Sequence, residues 1–584
     1  MKKRLRAGVS LLSAALLALA LMPPVPRASA YVPEVSVVRI GLYYGDSALQ
    51  SANLQNVTDL GSGYDFGYFD ASRNFVPIGA YTDTVKISMM RDRNMQFDGG
   101  NYTEGTTGGV VVGCFHIQSS AAYGSFEEAA AAAAGISSSF VKYESGVFYV
   151  CAGNYTTAAE AESAGASLGL SGNITSGTTY TVTVAETGTN RIIFEFDCGA
   201  DRWLGVMPRA SDGVKPQTWF KGYRYHGGFQ YARLDGKAIT VVNFVDIDDY
   251  TRGVIPYEMS GAWPVEALKA QALCARTYAL SKLHTHGAYG FDLCTTEHCQ
   301  VYRGQGQATE TTEAAVDQTL GQYITYEGKL CETYFSSSDG GATEDIENVW
   351  KDTLPYLRGV VDPYEADISE RISNYNWTVT YTPDQITQRL RGRGYNCGQI
   401  VGMAVTKYTQ LGNAYEVTLL DDAGRTWRFT KGDSIRSGLG VRSIRFTIGG
   451  AAAPVPGGTL GADTGIHVND KGETIDGGAA LFAVDGSGQT SPVSGADSLY
   501  AITGSGETAP VGGGGGGATD TQTPLLTSTV GGGSGLVSGV FVISGSGTGH
   551  NVGMSQWGAY SMAKFHNKTY DEIINFYYTG VTIG

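Results

Sequence analysis

Alternating apolar and polar residues predict strands along much of the chain. The alternation runs through residues 35–48 and 83–93, and it returns between 175 and 250 in TTYTVTVAE, RIIFEFD and KAITVVNFVDIDDY. A run rich in alanine and leucine that begins near residue 263 predicts one long helix. Mixed strand and helix patterns continue from 320 to about 448. The pattern as a whole predicts an α+β fold with mixed sheets.

A weak internal duplication lies between residues 105 and 172. In each copy an apolar strand with Gly and an aromatic residue at its end precedes a helix of Ala and Glu, first at 110–115 and from 126, then at 147–155 and from 158. Two such β-α units can share one small sheet. The alternative is a generic small α+β domain, because Ala/Glu helices after strands are common.

The composition changes at residues 450–540, where Gly, Ser, Pro and Thr dominate and residues 512–517 are six consecutive glycines. This composition is typical of a flexible linker. Residues 541–584 are again dense in Trp, Tyr, Met and Phe. Because the Gly-rich segment separates two ordered pieces, we expect it to be an insertion within one domain.

The N-terminus predicts export. Residues 2–6 hold four basic side chains, an apolar run follows over 7–22, and Ala28-Ser29-Ala30 forms an A-x-A cleavage site. The run is short for a membrane span of about 20 residues, so residues 1–30 read as a signal peptide. The alternative is an uncleaved anchor. In both cases we expect an extracytoplasmic protein, in the cell wall or on the outer face of the membrane.

The charge balance argues against nucleic acid as the partner. The formal net charge is −15, and it becomes −20 without residues 1–30, which hold five basic and no acidic residues. Phosphate binding requires a basic face. The eight cysteines are too few for a disulfide scaffold in a chain of 584 residues.

The stretch from 249 to 280 is the most informative. Pro264 suits the first turn of the predicted helix, since its missing N–H costs nothing there. Lys269 and Arg276 are seven residues apart and share one helix face with small neighbours between them. Two cations on such a stripe indicate a site rather than a solvated face.

Glu258 lies in a predicted turn just before this helix, amid Pro, Tyr, Met and Trp residues. A carboxyl group in apolar and aromatic surroundings tends to keep its proton near neutral pH, as a general acid must. The alternative is that Glu258 only caps the helix by accepting from its free N–H groups.

These residues resemble the signature of the stage II sporulation protein D family, which includes the LytB-type amidase enhancers. Further blocks agree in order: HCQVYRG at 298–304, TYFSSSDGGATE at 333–344, GLGVRS at 438–443, GHNVGMSQWGAYSMA at 549–563 and YYTG at 577–580. The resemblance covers about 225–448 and 541–584. The chain departs from the family in Ser260-Gly261, in Asn551 and in the long segment between the last blocks.

The resemblance implies a peptidoglycan lytic transglycosylase active in sporulation and engulfment. Such an enzyme cleaves the bond between N-acetylmuramic acid and N-acetylglucosamine in denuded glycan strands and leaves 1,6-anhydro ends. Helices are expected to form a cleft in the catalytic region. The family pattern places the catalytic acid at Glu258 and substrate-binding residues at Lys269 and Arg276. Further lining residues are expected at Tyr334, Ser336, Ser337, His550 and Gln556. The chemistry needs no cofactor.

The alternative function within this family is a non-catalytic amidase enhancer that binds wall glycan and stimulates a cell-wall amidase. Peptidoglycan strands are the expected partner in both cases. Residues 105–172 also resemble the sporulation-related repeat (SPOR) domain, and that resemblance implies a second glycan-binding domain.

Cysteine and histidine residues cluster between 284 and 299. Cys294, His298 and Cys299, with His286 or His284 as the fourth ligand, form a set that tetrahedral zinc accepts. Some family members resemble this pattern and hold zinc near the cleft, where the metal would be structural. The alternatives are a disulfide between Cys294 and Cys299, which export favours, and two free thiols.

The predicted organisation therefore has six parts: a signal peptide at 1–30, a strand-rich region at 31–104, a SPOR-like domain at 105–172, the first part of the catalytic domain at 175–449, a Gly/Ser-rich insertion or linker at 450–540, and the C-terminal part of the catalytic domain at 541–584.

Overall fold

The computed structural model describes residues 31–168, 170, 172–449 and 536–584, with short strands at 481–482, 499–502 and 508–510. The predicted signal peptide and most of the predicted linker lie outside the described residues. The chain forms two compact units, of which the first runs to Thr333 and takes in Val581–Gly584, and the second spans Tyr334–Gly580. No helix among the described residues is long and apolar enough to cross a membrane.

The first unit combines many strands with a few helices. Its strands are β1 (Val37–Tyr43), β2 (Ser51–Asn56), β3 (Tyr64–Phe69), β4 (Phe75–Thr82), β5 (Lys86–Arg91), β6 (Met95–Phe97), β7 (Tyr102–Glu104), β8 (Val111–Val112), β9 (Phe115–Tyr123), β10 (Ser139–Glu144), β11 (Val147–Tyr155), β12 (Gly172–Thr175), β13 (Val182–Glu186), β14 (Ile192–Asp197), β15 (Leu204–Pro208), β16 (Thr218–Phe220), β17 (Tyr223–Tyr225), β18 (Gly228–Ala232), β19 (Thr240–Asp246), β20 (Leu293–Cys294), β21 (Ile324–Tyr326) and β22 (Lys329–Leu330). Its helices are α1 (Phe126–Ala133), α2 (Ala158–Leu168), α3 (Ile247–Glu258), α4 (Val265–Ser281) and α5 (Glu310–Asp317).

Two mixed sheets organise this unit, as the α+β prediction requires. One has the order β20-β1-β19-β18-β15-β3-β4 and the other β12-β9-β11-β10-β14-β13-β5-β2-β16-β17. Strand β1 pairs antiparallel with β19 and parallel with β20. Strands from the predicted N-terminal region and from the predicted catalytic domain therefore share one sheet.

The predicted duplication corresponds to a β-α-β-β-α-β segment, β9-α1-β10-β11-α2-β12, with the strand order β12-β9-β11-β10. This is the split βαβ arrangement, in which each half contributes one strand-helix-strand unit. The first strand begins at Phe115, where the predicted one ends. Apolar residues of the strands β6, β7 and β8 pack against Phe140 and Cys151 of this sheet. These three strands therefore cover part of the sheet.

Helix α3 was not predicted, because the alternating pattern reads as a strand up to Tyr250. The chain instead leaves β19 at Asp246, whose side chain accepts a hydrogen bond from the Asp248 N–H and caps the helix. Acidic residues in the first turn further favour this start. Helix α3 then carries the chain to Glu258.

Asp292 joins the N-terminal strand to the loop before β20. Its fully buried carboxylate lies 2.9 Å from Arg39 and 2.8 Å from Arg73. The hydrogen bonds from Arg39 and the charges of both arginines outweigh burial and lower the pKa of Asp292. The sequence analysis did not identify a role for Asp292, because its partners lie more than 200 positions away.

The second unit contains the strands β23 (Phe335–Ser336), β24 (Asn376–Tyr381), β25 (Ile400–Tyr408), β26 (Ala414–Asp421), β27 (Thr426–Thr430), β28 (Phe446–Ile448), β29 (Leu481–Phe482), β30 (Leu499–Ile502), β31 (Thr508–Pro510), β32 (Val537–Ser538), β33 (Phe541–Ser546) and β34 (Met554–Ser555). Its helices are α6 (Ile346–Val349), α7 (Pro363–Ala366), α8 (Pro383–Arg391), α9 (Gly432–Leu439), α10 (Gln556–Phe565) and α11 (Tyr570–Tyr577).

Strands from both sides of the Gly-rich segment pair with each other in this unit. Strand β33 lies between β24 and β28, and β34 pairs with β23. The apolar residues of β25, β26, α8 and α9 form one core that includes Phe541 and Ile543 of β33. The residues after 540 therefore complete the same sheets that the residues before 450 begin.

The chain returns to the first unit in β35 (Thr582–Ile583), which pairs with β21. The two ends of the second unit also meet, since the Tyr578 hydroxyl donates to the Tyr334 carbonyl at 2.7 Å. The second unit is therefore inserted in the chain between β22 and β35 of the first unit.

We expect Asp292→Asn to destabilise the first unit by about 3 kcal/mol, because it leaves two arginines without their buried counter-charge. Urea unfolding of the variant measures the loss. Asp235→Asn is the control, since Asp235 is exposed and lies 3.9 Å from Lys237, and it should change the unfolding free energy by less than about 0.5 kcal/mol. Equal effects of the two variants would contradict the structural role of Asp292.

Candidate functional site

Glu258 is the last residue of α3 rather than part of a turn, which corrects the sequence interpretation. Its side chain is half-buried, and Oε1 accepts a hydrogen bond from the Val301 N–H at 3.3 Å. The C-terminal end of a helix disfavours a negative charge, whereas the N–H donor favours it. The carboxyl group is therefore held between two opposing influences.

The block at 298–304 reaches Glu258 because α3 carries a glycine at the contact. A Cβ on Gly253 would lie 2.5 Å from the Tyr302 ring. Tyr302 is buried, and its hydroxyl donates to Asn243 Oδ1 at 2.9 Å. Gln300 on the other side of Val301 donates from Nε2 to the Ala275 carbonyl of α4. Both neighbours of Val301 are thus anchored, and its N–H is held against the carboxyl group.

The turn between α3 and α4 contains the departure Ser260-Gly261. The Trp263 N–H donates to the Ser260 carbonyl at 2.9 Å, which closes the turn. A Cβ on Gly261 would lie 2.5 Å from the Thr309 hydroxyl. The departure from the family pattern therefore lets the turn pack closely on the start of α5.

Lys269 and Arg276 lie on α4 but in different environments. The Lys269 side chain is 11% exposed, and its Nζ lies 2.8 Å from Glu266. The Arg276 side chain is 0% exposed, and its Nε donates to Asp248 at 2.7 Å. Arg276 therefore joins α4 to the first turn of α3 and has no surface for direct contact with a glycan. The spacing in the sequence predicted that Lys269 and Arg276 share one face of the helix, but it could not predict how deeply each side chain is buried.

Four predicted metal ligands come together in the first unit. His286, Cys294, His298 and Cys299 each offer one ligand atom, and these atoms all lie within 4.8 Å of one another. His286 Nε2 and His298 Nδ1 each lie 3.5 Å from Cys299 Sγ, and His298 Nδ1 lies 3.9 Å from Cys294 Sγ. Ligand atoms around a tetrahedral zinc ion lie roughly 3.3–3.8 Å apart, so the four residues fit this metal.

His284, the other predicted fourth ligand, points elsewhere: its Nδ1 lies 3.2 Å from Arg39 Nη2. The two clustered cysteines are free thiols in the structure. Their mutual hydrogen bond lowers the pKa of Cys294 and raises the pKa of Cys299. A readily formed thiolate is the form of cysteine that binds a metal.

The remaining predicted site residues belong to the second unit. Ser336 of β23 pairs with Ser555 of β34, and the Ser337 carbonyl accepts from the Trp557 N–H. Gln556, the first residue of α10, is buried. These contacts bring the TYFSSSDGGATE and GHNVGMSQWGAYSMA blocks together.

His550 lies among aromatic rings, 4.9 Å from Trp350 and 6.3 Å from Tyr334 between ring centroids. Burial, with a smaller contribution from the Arg436 charge, lowers the pKa of His550 to about 3. Its Nδ1 accepts from the Val552 N–H at 3.0 Å. His550 is therefore a neutral hydrogen-bonding group at physiological pH.

Asn551, the second departure from the family pattern, occupies a left-handed backbone conformation with φ of 62°. Glycine and asparagine tolerate this conformation best. The Asn551 side chain adds a hydrogen bond from Nδ2 to the Asp339 carbonyl at 2.6 Å. The substitution therefore preserves the turn and strengthens its contact with the neighbouring block.

A buried carboxyl cluster that the sequence analysis missed lies beneath this turn. Asp339, Asp362 and Glu365 have carboxyl oxygens within 4.8 Å of one another. Hydroxyl groups of Ser338 and Ser555 donate to Glu365. Three carboxylates this close together would repel one another. Asp339 Oδ2 accepts no hydrogen bond from the described residues, and a proton on Asp339 would relieve this repulsion. Burial first, then the neighbouring carboxylates, raise the pKa of Asp339 and Glu365, and burial raises that of Asp362.

Comparison with known proteins identifies relatives. The family described as Stage II sporulation protein matches residues 235–326. An uncharacterized protein of Brachyspira hyodysenteriae is 28% identical over 383 residues, which cover 65% of this chain and 76% of that protein. The amidase enhancer of Bacillus subtilis is 28% identical over 332 residues, 57% of this chain and 40% of the enhancer.

Stage II sporulation protein D of Bacillus subtilis is 30% identical over 220 residues, which cover 35% of this chain and 61% of that protein. The chain thus spans less than two thirds of the two named Bacillus relatives. The matched segment 235–326 contains Glu258, Lys269, Arg276 and the Cys/His cluster.

The carboxyl cluster predicts a stability that falls as pH rises. The folded state holds protons on groups that ionise at about pH 4 in an unfolded chain, so stability is fully present below that pH and is lost as pH rises towards the folded pKa values. Asp339→Asn should flatten this dependence and raise the Tm of the second unit at pH 8 by ~3 °C or more.

Differential scanning calorimetry between pH 4.5 and 8 measures both effects. Asp352→Asn, at an exposed position of the same unit, is the matched control and should leave the slope unchanged. A Tm of the wild-type second unit that rises steadily over this pH range would contradict the assignment.

Proposed function

We propose that the chain belongs to the family of stage II sporulation protein D and the amidase enhancers, which its similarity over residues 235–326 supports, and that it is a peptidoglycan lytic transglycosylase. The observation that carries this proposal is the half-buried carboxyl group of Glu258 at the end of α3, fixed by the Val301 N–H. Val301 also lines a cavity of about 460 Å³ in the same unit. Val301 thus connects the proposed proton donor to a cavity of the size that ligand sites in proteins have.

In the proposed reaction Glu258 donates its proton to the oxygen that bridges N-acetylmuramic acid and N-acetylglucosamine. The bond between that oxygen and the anomeric carbon breaks. The carboxylate then accepts the proton of the muramic 6-hydroxyl, whose oxygen forms a new bond to the anomeric carbon. The product is a 1,6-anhydro sugar, and no water is consumed. One carboxyl group suffices, in contrast to hydrolases that use two.

Lys269 and Arg276 have separate roles in this proposal. Lys269 retains partial exposure on α4, so it is the residue of the pair that we assign to glycan binding and to charge developing in the transition state. Arg276, buried against Asp248, is a positioning residue that sets α3 against α4. The residues Tyr334, Ser336, Ser337, His550 and Gln556 remain predicted lining residues.

A second candidate function is stimulation of a cell-wall amidase. The similarity to a protein named amidase enhancer supports it. Such a function requires a surface for the amidase and wall glycan but no proton transfer by Glu258. The retained carboxyl group favours the enzyme.

We propose a wall-directed, exported protein in both cases, with residues 105–172 as an accessory glycan-binding domain. Its β-α-β-β-α-β topology agrees with the SPOR resemblance. The covered part of the sheet around Phe140 and Cys151 limits any glycan contact to the remaining part, which includes the half-exposed Gln118 and Tyr149.

A structural zinc ion is the proposed resident of the Cys/His cluster. His286, Cys294, His298 and Cys299 would hold it, with no open position for chemistry. Bound zinc would crosslink the loop that precedes Gln300 and Val301. In this way the metal would stabilise the block that supports Glu258 without taking part in the reaction.

Glu258→Gln should lower the formation of anhydromuramyl ends by about 10²–10⁴-fold, because an amide cannot deliver the proton. Mass spectrometry of purified protein incubated with denuded glycan strands measures the products. Glu310→Gln on α5, at an exposed carboxylate of the same unit, is the control and should retain the wild-type rate.

Products unchanged by Glu258→Gln would reject the acid role. The absence of anhydro ends with the wild type, together with faster peptide release by an added cell-wall amidase in both wild type and Glu258→Gln, would instead identify an enhancer.

Purified protein should contain close to one zinc ion per chain, and Cys294→Ser and His286→Ala should each abolish the metal. His284→Ala is the matched control, because His284 faces Arg39, and it should keep the zinc. Mass spectrometry by inductively coupled plasma measures the content. A metal-free protein whose intact mass shows a Cys294–Cys299 disulfide would contradict the zinc assignment.

A further inference from the structure

We propose that the cavity lined by Val301 binds an N-acetylmuramyl residue whose lactyl carboxylate is free, and that Lys221 and Arg303 pair with that carboxylate. This inference rests on the proposed function and adds to it the group by which the substrate is selected. It concerns a hairpin that lies outside the matched segment 235–326.

The cavity is formed where the hairpin of β16 and β17 meets the block at 298–304. Its volume is about 460 Å³, and its lining includes Tyr43, Lys221, Tyr223, Val301 and Arg303. This volume is in the range of ligand sites in proteins. Val301 connects this cavity to the proposed acid, because its N–H donates to Glu258.

The hairpin presents Lys221 and Tyr223 because its turn is tight. Phe220 pairs with Tyr223, so the loop consists of Lys221 and Gly222 alone, with φ angles of 48° and 86°. Two positive φ angles are typical of the turn that matches the twist of a hairpin. Phe220 and Tyr225 are buried and anchor the two strands, which holds the turn residues at the cavity.

Exposed aromatic rings give the hairpin a surface for a sugar ring. Trp219 is 39% exposed and Tyr223 is 36% exposed. An aromatic side chain offers an apolar face with little conformational entropy to lose. Tyr223 lines the cavity, so it is the ring that we expect to stack on the bound sugar.

Three cations at this place, Lys221, Arg224 and Arg303, form no salt bridge with another described residue, although the chain is acidic overall. The charge of Asp98 acts on Lys221 from beyond salt-bridge distance. Lys221 Nζ donates to Asn101 Oδ1 at 3.0 Å, and the Arg303 guanidinium lies 5.9 Å from the Tyr257 ring. Arg224 lies over Trp219. The acidic side chain in the lining is Glu297. The excess of positive over negative side chains at the cavity favours an anionic ligand.

The charge identifies which sugar fits. N-acetylglucosamine is neutral, whereas N-acetylmuramic acid carries a lactyl group that ends in a carboxyl group. In a peptide-bearing strand this group is an amide, and it becomes a carboxylate only after the stem peptide has been removed. Arginine and lysine distinguish the two states, because a carboxylate accepts charge-assisted hydrogen bonds that an amide cannot match. Lys221 and Arg303 would thus select denuded glycan.

The test measures binding rather than cleavage. Glu258→Gln protein is titrated calorimetrically with a denuded tetrasaccharide of alternating N-acetylglucosamine and N-acetylmuramic acid, and with the same tetrasaccharide after reduction of its lactyl carboxylates to alcohols. We expect the acidic form to bind at least about tenfold more tightly than the reduced form. Adding Lys221→Gln and Arg303→Gln should remove this preference, and Tyr223→Ala should weaken both ligands.

Lys329→Gln is the control, because Lys329 lies exposed on β22, outside the cavity lining, and it should keep the preference. Circular dichroism and zinc content confirm that each variant is folded. A preference that survives in the double variant, equal binding of the two ligands, or no binding of either would overturn the proposal. If the preference depends on Lys221 and Arg303 but the wild type forms no anhydro ends, only the transglycosylase assignment fails.

Discussion

The contact between Gly253 of α3 and the Tyr302 ring is the constraint on which the rest of the first unit's site depends. A side chain of any size on residue 253 would occupy the space of the ring. Because the Tyr302 ring packs against Gly253, the neighbouring Val301 N–H faces Glu258 and Arg303 lines the cavity. The Cys/His cluster lies just before these residues in the chain, and His298 of that cluster also lines the cavity. The carboxyl group, the cavity and the metal ligands are thus parts of one packed arrangement.

The sequence predicted those features that short-range patterns encode. The α+β class, the long helix that begins near residue 263 and the duplicated strand-helix units follow from local patterns, and the structure agrees with them, except that Pro264 precedes the first turn of α4 rather than lying in it. The start of α3 escaped prediction because Asp246 ends a strand and caps a helix at once, so that two periodicities overlap. The motif blocks led to Glu258 and to the Cys/His cluster, but spacing along a helix cannot reveal that Arg276 is fully buried.

Long-range partners account for what the sequence could not supply. Asp292 meets its two arginines from more than 200 positions away, and the carboxyl cluster brings Asp339 to Asp362 and Glu365 from more than 20 positions away. Neither has a local pattern, and each involves buried charge whose energy depends on what surrounds it. The departures from the family pattern show the same dependence, since Asn551 is acceptable only because its backbone is left-handed and an acceptor lies within reach.

Strand β35 pairs with β21 within the first unit, and the second unit, which lies between them in the chain, has its own two ends joined by the hydrogen bond from Tyr578 to Tyr334. If the second unit unfolds, β21 and β35 become the ends of a long slack loop, and closing such a loop costs conformational entropy. While the second unit is folded, its two ends are already close together, so no further loop-closure entropy is lost and β35 has a high effective concentration near β21. Unfolding of the second unit is therefore expected to weaken the pairing of β35 with β21 in the first unit through chain connectivity alone.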